Sequence, residues 1–418
     1  MKFALASYGS RGDIEPGAAV ARELLRRGHE VSMAVPPDSL GFIKSAGLSA
    51  LGYGVDAQAW LDLWMPPQSG SRKFPNPTHL WHELWKILAP CWEGISTTLT
   101  SLANGADLLF TGPVFEQPAA NVAEYYDIPF ATYHYTPIRP NGQARTSLPP
   151  RLNRLAMTLN DWLLWRVLKR LEDEQRRDLG LQKVRCSSSR RIAARGSLEI
   201  QAYDEVCFPG LAIEWSKFKD QRPFVGALTM ELATDADEEV ASWIAEGTPP
   251  IFFGFGSMPV ASAADTFALI ASTCKQLGVR ALISSGWSDF SRAPRVDGVK
   301  LVSAVNHADI FPKCRAVVHH GGSGTTATGL RAGVPTLVLW KAFDQPIWGA
   351  QVKRLQVGTA RPFARTTSES LVADLRTIIA PQYVSRAREI ATRMTPPAVS
   401  VATAADLLEK AARHRMSC

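Results

Sequence analysis

The chain has 418 residues, 46% of them hydrophobic and 20% charged, with a formal net charge of +7. That length suits two cores, since domains run about 100 to 200 residues each. No stretch reaches the roughly 18 apolar residues of a membrane span, and the apolar run in MKFALASYGSRGDIEP is too short before its charges for a secretion signal, so a cytoplasmic location is expected. The cysteines (Cys91, Cys186, Cys207, Cys274, Cys314, Cys418) form neither a CxxC pair nor a Cys/His ligand set, which speaks against disulfides and zinc. Positive charge is concentrated: residues 139–195 hold 14 Lys and Arg against 5 Asp and Glu.

In chain order, Lys2 to Ser7 read as a buried strand and Tyr8 to Asp13 as a loop. A helix from about Pro16 to Arg27 follows, closed by Gly28, and then a strand from Glu30 to Val35. The loop has GxxG spacing in place of GxGxxG, so it is no dinucleotide fingerprint. Asp13 reads either as an N-cap for the Pro16 helix or as a functional carboxylate. Trp60, Trp64, Trp81, Trp85 and Trp92 interrupt polar sequence and suit either domain packing or an apolar acceptor groove. Leu108 to Thr111 and Phe130 to Tyr133 continue the strands, with a helix between them around Phe115 to Tyr126. From Arg151 to Arg177, Leu152, Leu155, Leu159, Trp162, Leu163, Val167 and Leu168 recur at near-helical spacing among arginines. Such a helix either packs on its own domain with snorkelling arginines or lies on an anionic membrane.

Between Pro209 and Glu239 regularity drops, as in an interdomain linker. Asp235-Ala236-Asp237 there spells a metal-binding DxD, but its place before a helix favours capping. Ile251 to Phe255 and the turn in GFGSM open a second α/β series: a helix at Ala263 to Leu277, then strands at Arg280 to Ser284 and Lys300 to Val302. The most informative stretch is Ala316 to Gln345. A strand runs into Gly321, Gly322 and Gly324, a helix reaches Ala332, and a second strand, Thr336 to Trp340, ends before Asp344-Gln345. This βαβ unit sets bare amides and a helix N-terminus at the strand's C-terminal edge, an anion site to which Ser323, Thr325 and Thr326 add hydroxyls. Strand alternation sends His319 and His320 to opposite faces, so one of them reaches the anion. Asp344 and Gln345 alternatively cap a helix starting near Pro346. Pro396-Pro397 separates the final helix, about Ala398 to Arg413.

The string HHGGSGTTATGLRAGVPTLVLWKAFDQPIWGA resembles the donor-binding signature of nucleotide-sugar glycosyltransferases of the GT-B fold, in particular the sterol glucosyltransferases, the tailoring enzymes of glycopeptide antibiotics and the mycobacterial glycopeptidolipid and glycolipid glycosyltransferases. The resemblance implies an α/β architecture of two Rossmann-like, doubly wound domains facing across a cleft. Residues 1–220 are then the acceptor domain, 221–395 the donor domain and 396–418 a helix returning to the first domain. It implies Asp13 as catalytic base, with Ser10, Arg11 and Gly12 beside the diphosphate. Ser257, His320, Gly322, Ser323, Gly324 and Thr325 are then on the donor phosphates, and Asp344 and Gln345 on the sugar hydroxyls. Where many relatives stack a tryptophan on uracil this chain has Val302, which leaves the base open. The reaction implied is an inverting transfer that needs no metal and no cofactor beyond the nucleotide-sugar co-substrate, with no nucleic-acid partner.

MKFALASYGSRGDIEPGAAV and RGSLEIQAYDEVCFPGL are most similar to the mycobacterial glycopeptidolipid group. That likeness implies a dTDP-deoxysugar donor such as dTDP-rhamnose and a lipopeptide or glycolipid acceptor. Peripheral association with the inner face of the cell membrane goes with the membrane reading of the helix from Arg151 to Arg177, the alternative to packing on its own domain. UDP-glucose transfer to a sterol or other apolar alcohol is the alternative within the class. A sugar-nucleotide 2-epimerase and a non-catalytic sugar-nucleotide sensor are the readings outside it.

Overall fold

The computed structural model describes residues 1–64, 77–144 and 149–416, except the side chains of 62–64, 77–88 and 414–416. Short runs of alanine, leucine, valine and phenylalanine, covered on both faces, pair as parallel strands, the arrangement such runs adopt when helices flank the sheet. In the first sheet β1 (Lys2–Ala6), β2 (Glu30–Val35), β3 (Leu51–Gly52), β4 (Leu108–Thr111), β5 (Phe130–His134) and β6 (Leu198–Gln201) lie in the order β3-β2-β1-β4-β5-β6. In the second, β7 (Ile251–Gly254), β8 (Ala281–Ser284), β9 (Val299–Val302), β10 (Ala316–His319), β11 (Thr336–Trp340) and β12 (Gly358–Pro362) lie in the order β12-β11-β10-β7-β8-β9. Each sheet is doubly wound. The winding reverses between β1 and β4 and between β7 and β10, the points at which doubly wound sheets bind ligands, outside the strands' C-terminal ends.

β3, β6 and β12 have no clear sequence signal. β3 is two residues long, β12 reads GTARP, and β6 reads LEIQ with Glu199 and Gln201 fully buried. The helix after β1 spans Arg11–Arg26, five residues earlier at its start than Pro16 suggests, so Pro16 lies inside it. Ser10 is the N-cap and Asp13 occupies the third helical position.

The chain divides into two compact units: 1–203 with 210–230 and 397–418, and 204–209 with 231–396. A boundary at 220 falls within the run 210–230. That run stays with the first sheet because Gln201 N–H donates to Pro223 O at 2.9 Å and Val225 N–H donates to Gln201 O at 3.1 Å. Residues 204–209 join the second unit through Phe208, whose ring meets Trp348 at 5.3 Å, and through Asp204, which accepts from Thr395 N–H at 2.6 Å. The last helix, Pro397–Met416, packs on the Arg11–Arg26 helix. Arg27 reaches Asp406 at 2.6 Å and Glu409 at 2.9 Å, and Ala404, Ala405, Leu408 and Ala412 are buried.

In the first core, Ile95, Leu99 and Leu102 of the Pro77–Ala103 helix pack on Ala4, Ala6 and Leu109. The second sheet is covered by Phe267, Ile270 and Leu375 on one side and by Val240, Ile310 and Phe311 on the other. Among the described residues no helix is long and apolar enough to cross a membrane, and Cys91, Cys186, Cys207, Cys274 and Cys314 are free thiols.

Candidate active site

In the first unit, β1 hands the chain to a tight turn at its C-terminal edge. Gly9 has φ +125°, and a Cβ there would lie 2.4 Å from Asp13 Oδ2, so only glycine lets the turn close over that carboxylate. Oδ2 accepts from Ser10 N–H at 2.7 Å and from Ser10 Oγ at 2.9 Å, and Oδ1 accepts from the Tyr135 hydroxyl. Tyr133, two residues earlier, sets its hydroxyl on Ser7 Oγ at 2.9 Å and on the Asp13 main-chain carbonyl. Burial raises the Asp13 pKa above the ordinary aspartate value, against the lowering effect of the hydrogen bonds from Tyr135 and Ser10. A carboxylate raised in this way is a stronger base.

The geometry joins the two roles left open for Asp13: it braces the helix start from the third helical position and presents a firmly held carboxylate. Ser10 turns its hydroxyl proton onto Asp13. Gly12 is exposed. Arg11 points elsewhere, pairing with Glu15 at 3.2 Å and standing 4.8 Å from the Phe42 ring.

An aromatic cluster adjoins this turn. Tyr8 meets Phe115 at 4.8 Å, Tyr53 at 5.5 Å and Trp60 at 5.9 Å, and Trp60 meets Phe115 at 5.2 Å. Trp92 is buried with Leu171 and serves packing, whereas Trp60 is half-buried. The side chains of Trp64, Trp81 and Trp85 lie outside the described residues.

In the second unit three loops meet at the C-terminal ends of β7, β10 and β11. His319 pairs in register with Gly254, so the loops leaving β10 and β7 emerge side by side. The His320 ring lies between them: a Cβ on Gly256 would stand 2.7 Å from its Cε1, and one on Gly322 would stand 2.6 Å from its Nε2. Burial lowers the His320 pKa to about 4, so the imidazole is neutral at pH 7, and its Nδ1 is buried without a hydrogen-bond partner. His319 instead accepts Gly321 N–H at 3.0 Å and stabilises the turn.

Gly322 is the N-cap of the Ser323–Arg331 helix, whose first internal bond is Thr326 N–H to Gly322 O at 2.9 Å. The amides of Ser323, Gly324 and Thr325 therefore lack intrahelical partners, and half-buried Ser257 lies on the neighbouring β7 loop.

The loop after β11 is fastened by two side chains. Gln345 Oε1 accepts Lys341 N–H at 2.8 Å and Ala342 N–H at 3.1 Å, which leaves its Nε2 as the atom able to donate outward. Lys341 Nζ donates to Pro259 O at 2.5 Å and Met258 O at 3.2 Å, and burial lowers its pKa to about 8. Between them Phe343 is held at φ +58°, left-handed for a non-glycine residue, with its side chain exposed. Asp344 is the half-buried N-cap of the Gln345–Arg354 helix.

Val302 does not join this group. It ends β9, two strands from β7, and packs partly buried against Val240 and Ile310. The DxD aspartate is structural: Asp237 accepts from Thr234 N–H at 2.7 Å, Thr234 Oγ1 at 2.8 Å and Asn306 N–H at 2.8 Å.

One trio among the described residues, Glu116, His134 and Glu199, has the side chains of a metal site. Two arginines already neutralise it. Arg139 pairs with Glu116 at 2.5 Å and also with Glu199, and Arg222 reaches Glu199 at 3.2 Å. Burial opposes ionisation of Glu116, yet Arg139 and His134 hold its pKa at about 2. A cation would have to displace a buried guanidinium, so the cluster is an ion-pair knot fixing the chain beyond β5, where Tyr135 lies.

Spacing alone did not reveal Tyr133, Tyr135 or Lys341. The alternation TYHYT does set both tyrosines on one face, a signal for the first two; nothing marks Lys341.

Comparison with known proteins accords with this geometry. Residues 3–89 match the glycosyltransferase family 28 N-terminal domain, and residues 282–410 match the erythromycin biosynthesis protein CIII-like C-terminal domain. The chain is 58% identical over 417 residues to an uncharacterized glycosyltransferase of Mycobacterium tuberculosis, covering 99% of this chain and 100% of that protein. It is 29% identical over 411 residues to a sterol 3-beta-glucosyltransferase of Arabidopsis thaliana, covering 94% of this chain and 65% of that one. Among solved structures, the glycosyltransferase VinC in complex with dTDP shares the fold with a TM-score of 0.68 at 17% identity, over 99% of this chain and 100% of that one.

Proposed function

Since the chain belongs to the nucleotide-sugar-dependent glycosyltransferases of the GT-B fold, we propose that it moves a 6-deoxyhexose such as rhamnose from a dTDP-sugar to a hydroxyl of a lipopeptide or glycolipid, with inversion and without a metal ion. In this reading the acceptor oxygen bonds to the anomeric carbon as the bond from that carbon to the diphosphate oxygen breaks. The hydroxyl proton passes to Asp13, and the nucleoside diphosphate departs with the electron pair. General-base assistance of this kind contributes typically about 10² to 10⁴ in rate.

Charge on the leaving group meets the unpaired amides of Ser323, Gly324 and Thr325, the Ser257 hydroxyl and His320, donors fixed before the charge develops. The observation that carries the reading is the junction of the β7, β10 and β11 loops around His320, with helix-terminal amides left without partners. Asp344 and Gln345 Nε2 are assigned to sugar hydroxyls. The dTDP complex of VinC supports thymine as the base, and the sterol glucosyltransferase keeps UDP-glucose transfer to an apolar alcohol as the second reading.

Calorimetric titration of the protein with dTDP and with UDP, in chelator, separates the two. Tighter dTDP binding supports the deoxysugar donor, tighter UDP binding supports the second reading, and binding of neither refutes the donor site. Asp13→Asn should keep nucleotide affinity and lose about 10² to 10⁴ in turnover; unchanged turnover would remove Asp13 as base.

A further inference from the structure

The 29-residue helix Pro150–Asp178 carries two unlike faces. One anchors it. Asn153, Trp165, Leu171 and Gln175 are buried, Trp165 Nε1 donates to Glu172 at 3.0 Å, and Gln175 accepts from Asn121 at 2.9 Å. The opposite face of its first turns is uncovered by any of the described residues: Leu152, Leu155, Leu159, Trp162 and Leu163 recur at helical spacing, and each is 48 to 64% exposed. A single exposed leucine is ordinary, but a contiguous apolar stripe marks a contact surface.

The stripe then turns basic. Arg166 and Arg170 continue its spacing, and Arg166 stands 5.9 Å from the Trp162 ring with no carboxylate partner among the described residues. Beside them a shallow depression of about 420 Å³ is lined by Arg166, Lys169, Arg170, Arg177 and Lys183 against Asp173 and Glu174. Both acids are already paired, Asp173 with Lys169 at 2.8 Å and Glu174 with Arg170 at 3.0 Å. The other end of the stripe carries Arg151, and beside it Arg154, which is paired with Glu214 at 2.7 Å. A second copy laid on this face would set the Arg166 end against another basic residue, Arg166 or Arg151, with no carboxylate on the stripe to receive it.

We propose that this face docks on an anionic lipid bilayer, with the leucines and Trp162 entering the acyl boundary and the basic end meeting headgroup phosphates. An apolar face beside a tryptophan and a cationic end is the composition of a helix lying in the interface plane. The anchoring face holds it to the protein while the stripe engages lipid. The proposal stands whichever donor or acceptor the enzyme uses.

Co-sedimentation of the full-length protein with phosphatidylcholine vesicles, with and without phosphatidylglycerol, tests it. The protein should bind the phosphatidylglycerol vesicles, and less so as salt rises. Arg166→Glu with Arg170→Glu should weaken that binding by about 25-fold or more, each basic residue being worth about fivefold. Leu155→Ser, Leu159→Ser and Trp162→Ser together should abolish it with the thermal transition unchanged, since these side chains are exposed. Absence of binding to phosphatidylglycerol vesicles, or equal binding by the serine variant, would overturn the proposal. So would a dimer in size-exclusion chromatography that the serine variant dissolves, which would assign the face to a second copy.

Discussion

Asp13 accepts from Ser10 at one oxygen and from Tyr135 at the other, so its basicity is set by two neighbours with different duties. Ser10 belongs to the helix start, whereas Tyr135 arrives from beyond β5, and its hydrogen bond lowers the carboxyl pKa that burial raises. Tyr135→Phe should therefore raise that pKa. A base must be ionised to act, so the acid limb of the kcat/KM profile against pH should move to higher pH, while dTDP affinity stays unchanged. An unmoved limb would mean that Tyr135 serves packing alone. The aspartate itself was legible in GSRGD. Its place in the helix was not, because Pro16 suggested a later start although Ser10 and Asp13 already had the spacing of a capping box. Tyr135 escaped because its partner lies far away in sequence and meets it only through the pairing order β1-β4-β5.

At the scale of elements, the glycines of the β7 and β10 loops could be read from sequence because backbone conformation and close approach demand that residue type. The tie between the β7 and β11 loops could not. It rests on Lys341, whose Nζ donates to the carbonyls of Met258 and Pro259, and a lone lysine in a sequence carries no such signal. Lys341→Met leaves both carbonyls without that donor, at a cost of about 1 to 3 kcal/mol. It should loosen the loop bearing Ser257 and weaken dTDP binding in titration. The sign of the pH effect follows from the Lys341 pKa near 8, below the ordinary lysine value of 10.5. Between those values the unfolded chain binds more protons than the folded one, so this residue makes stability rise with pH over that window. The methionine variant should lack that rise in thermal unfolding measured from pH 8 to pH 10.

For the whole molecule, the doubly wound sheets were legible from the apolar strand runs. β6 was not, since its buried Glu199 reads as a surface residue until Arg139 and Arg222 are seen beside it. The same kind of pairing governs acid stability. Arg26 and Arg27 hold Glu23 at about 2, and Glu116 is at about 2 despite burial, through Arg139 and His134; both lie in the first unit. Folded values below the ordinary 4.5 contribute stability above that pH, and it is lost as pH falls towards 2. Thermal unfolding of the first unit should weaken across that window, and Glu116→Gln should start lower at pH 7 but decline less steeply.

The terminal helix bears on how the protein is made. Residues 231–396 of the second unit emerge from the ribosome before the helix Pro397–Met416 that completes the first. Until that helix arrives, Arg27 lacks Asp406 and Glu409, and the apolar flank destined for Ala404, Ala405 and Leu408 stays bare. Domains usually mature from the N-terminus onward during synthesis. Here the order is inverted: the unit begun first is completed by a helix that follows the whole of the second unit, so the nascent chain carries an unfinished first sheet while residues 231–396 are made.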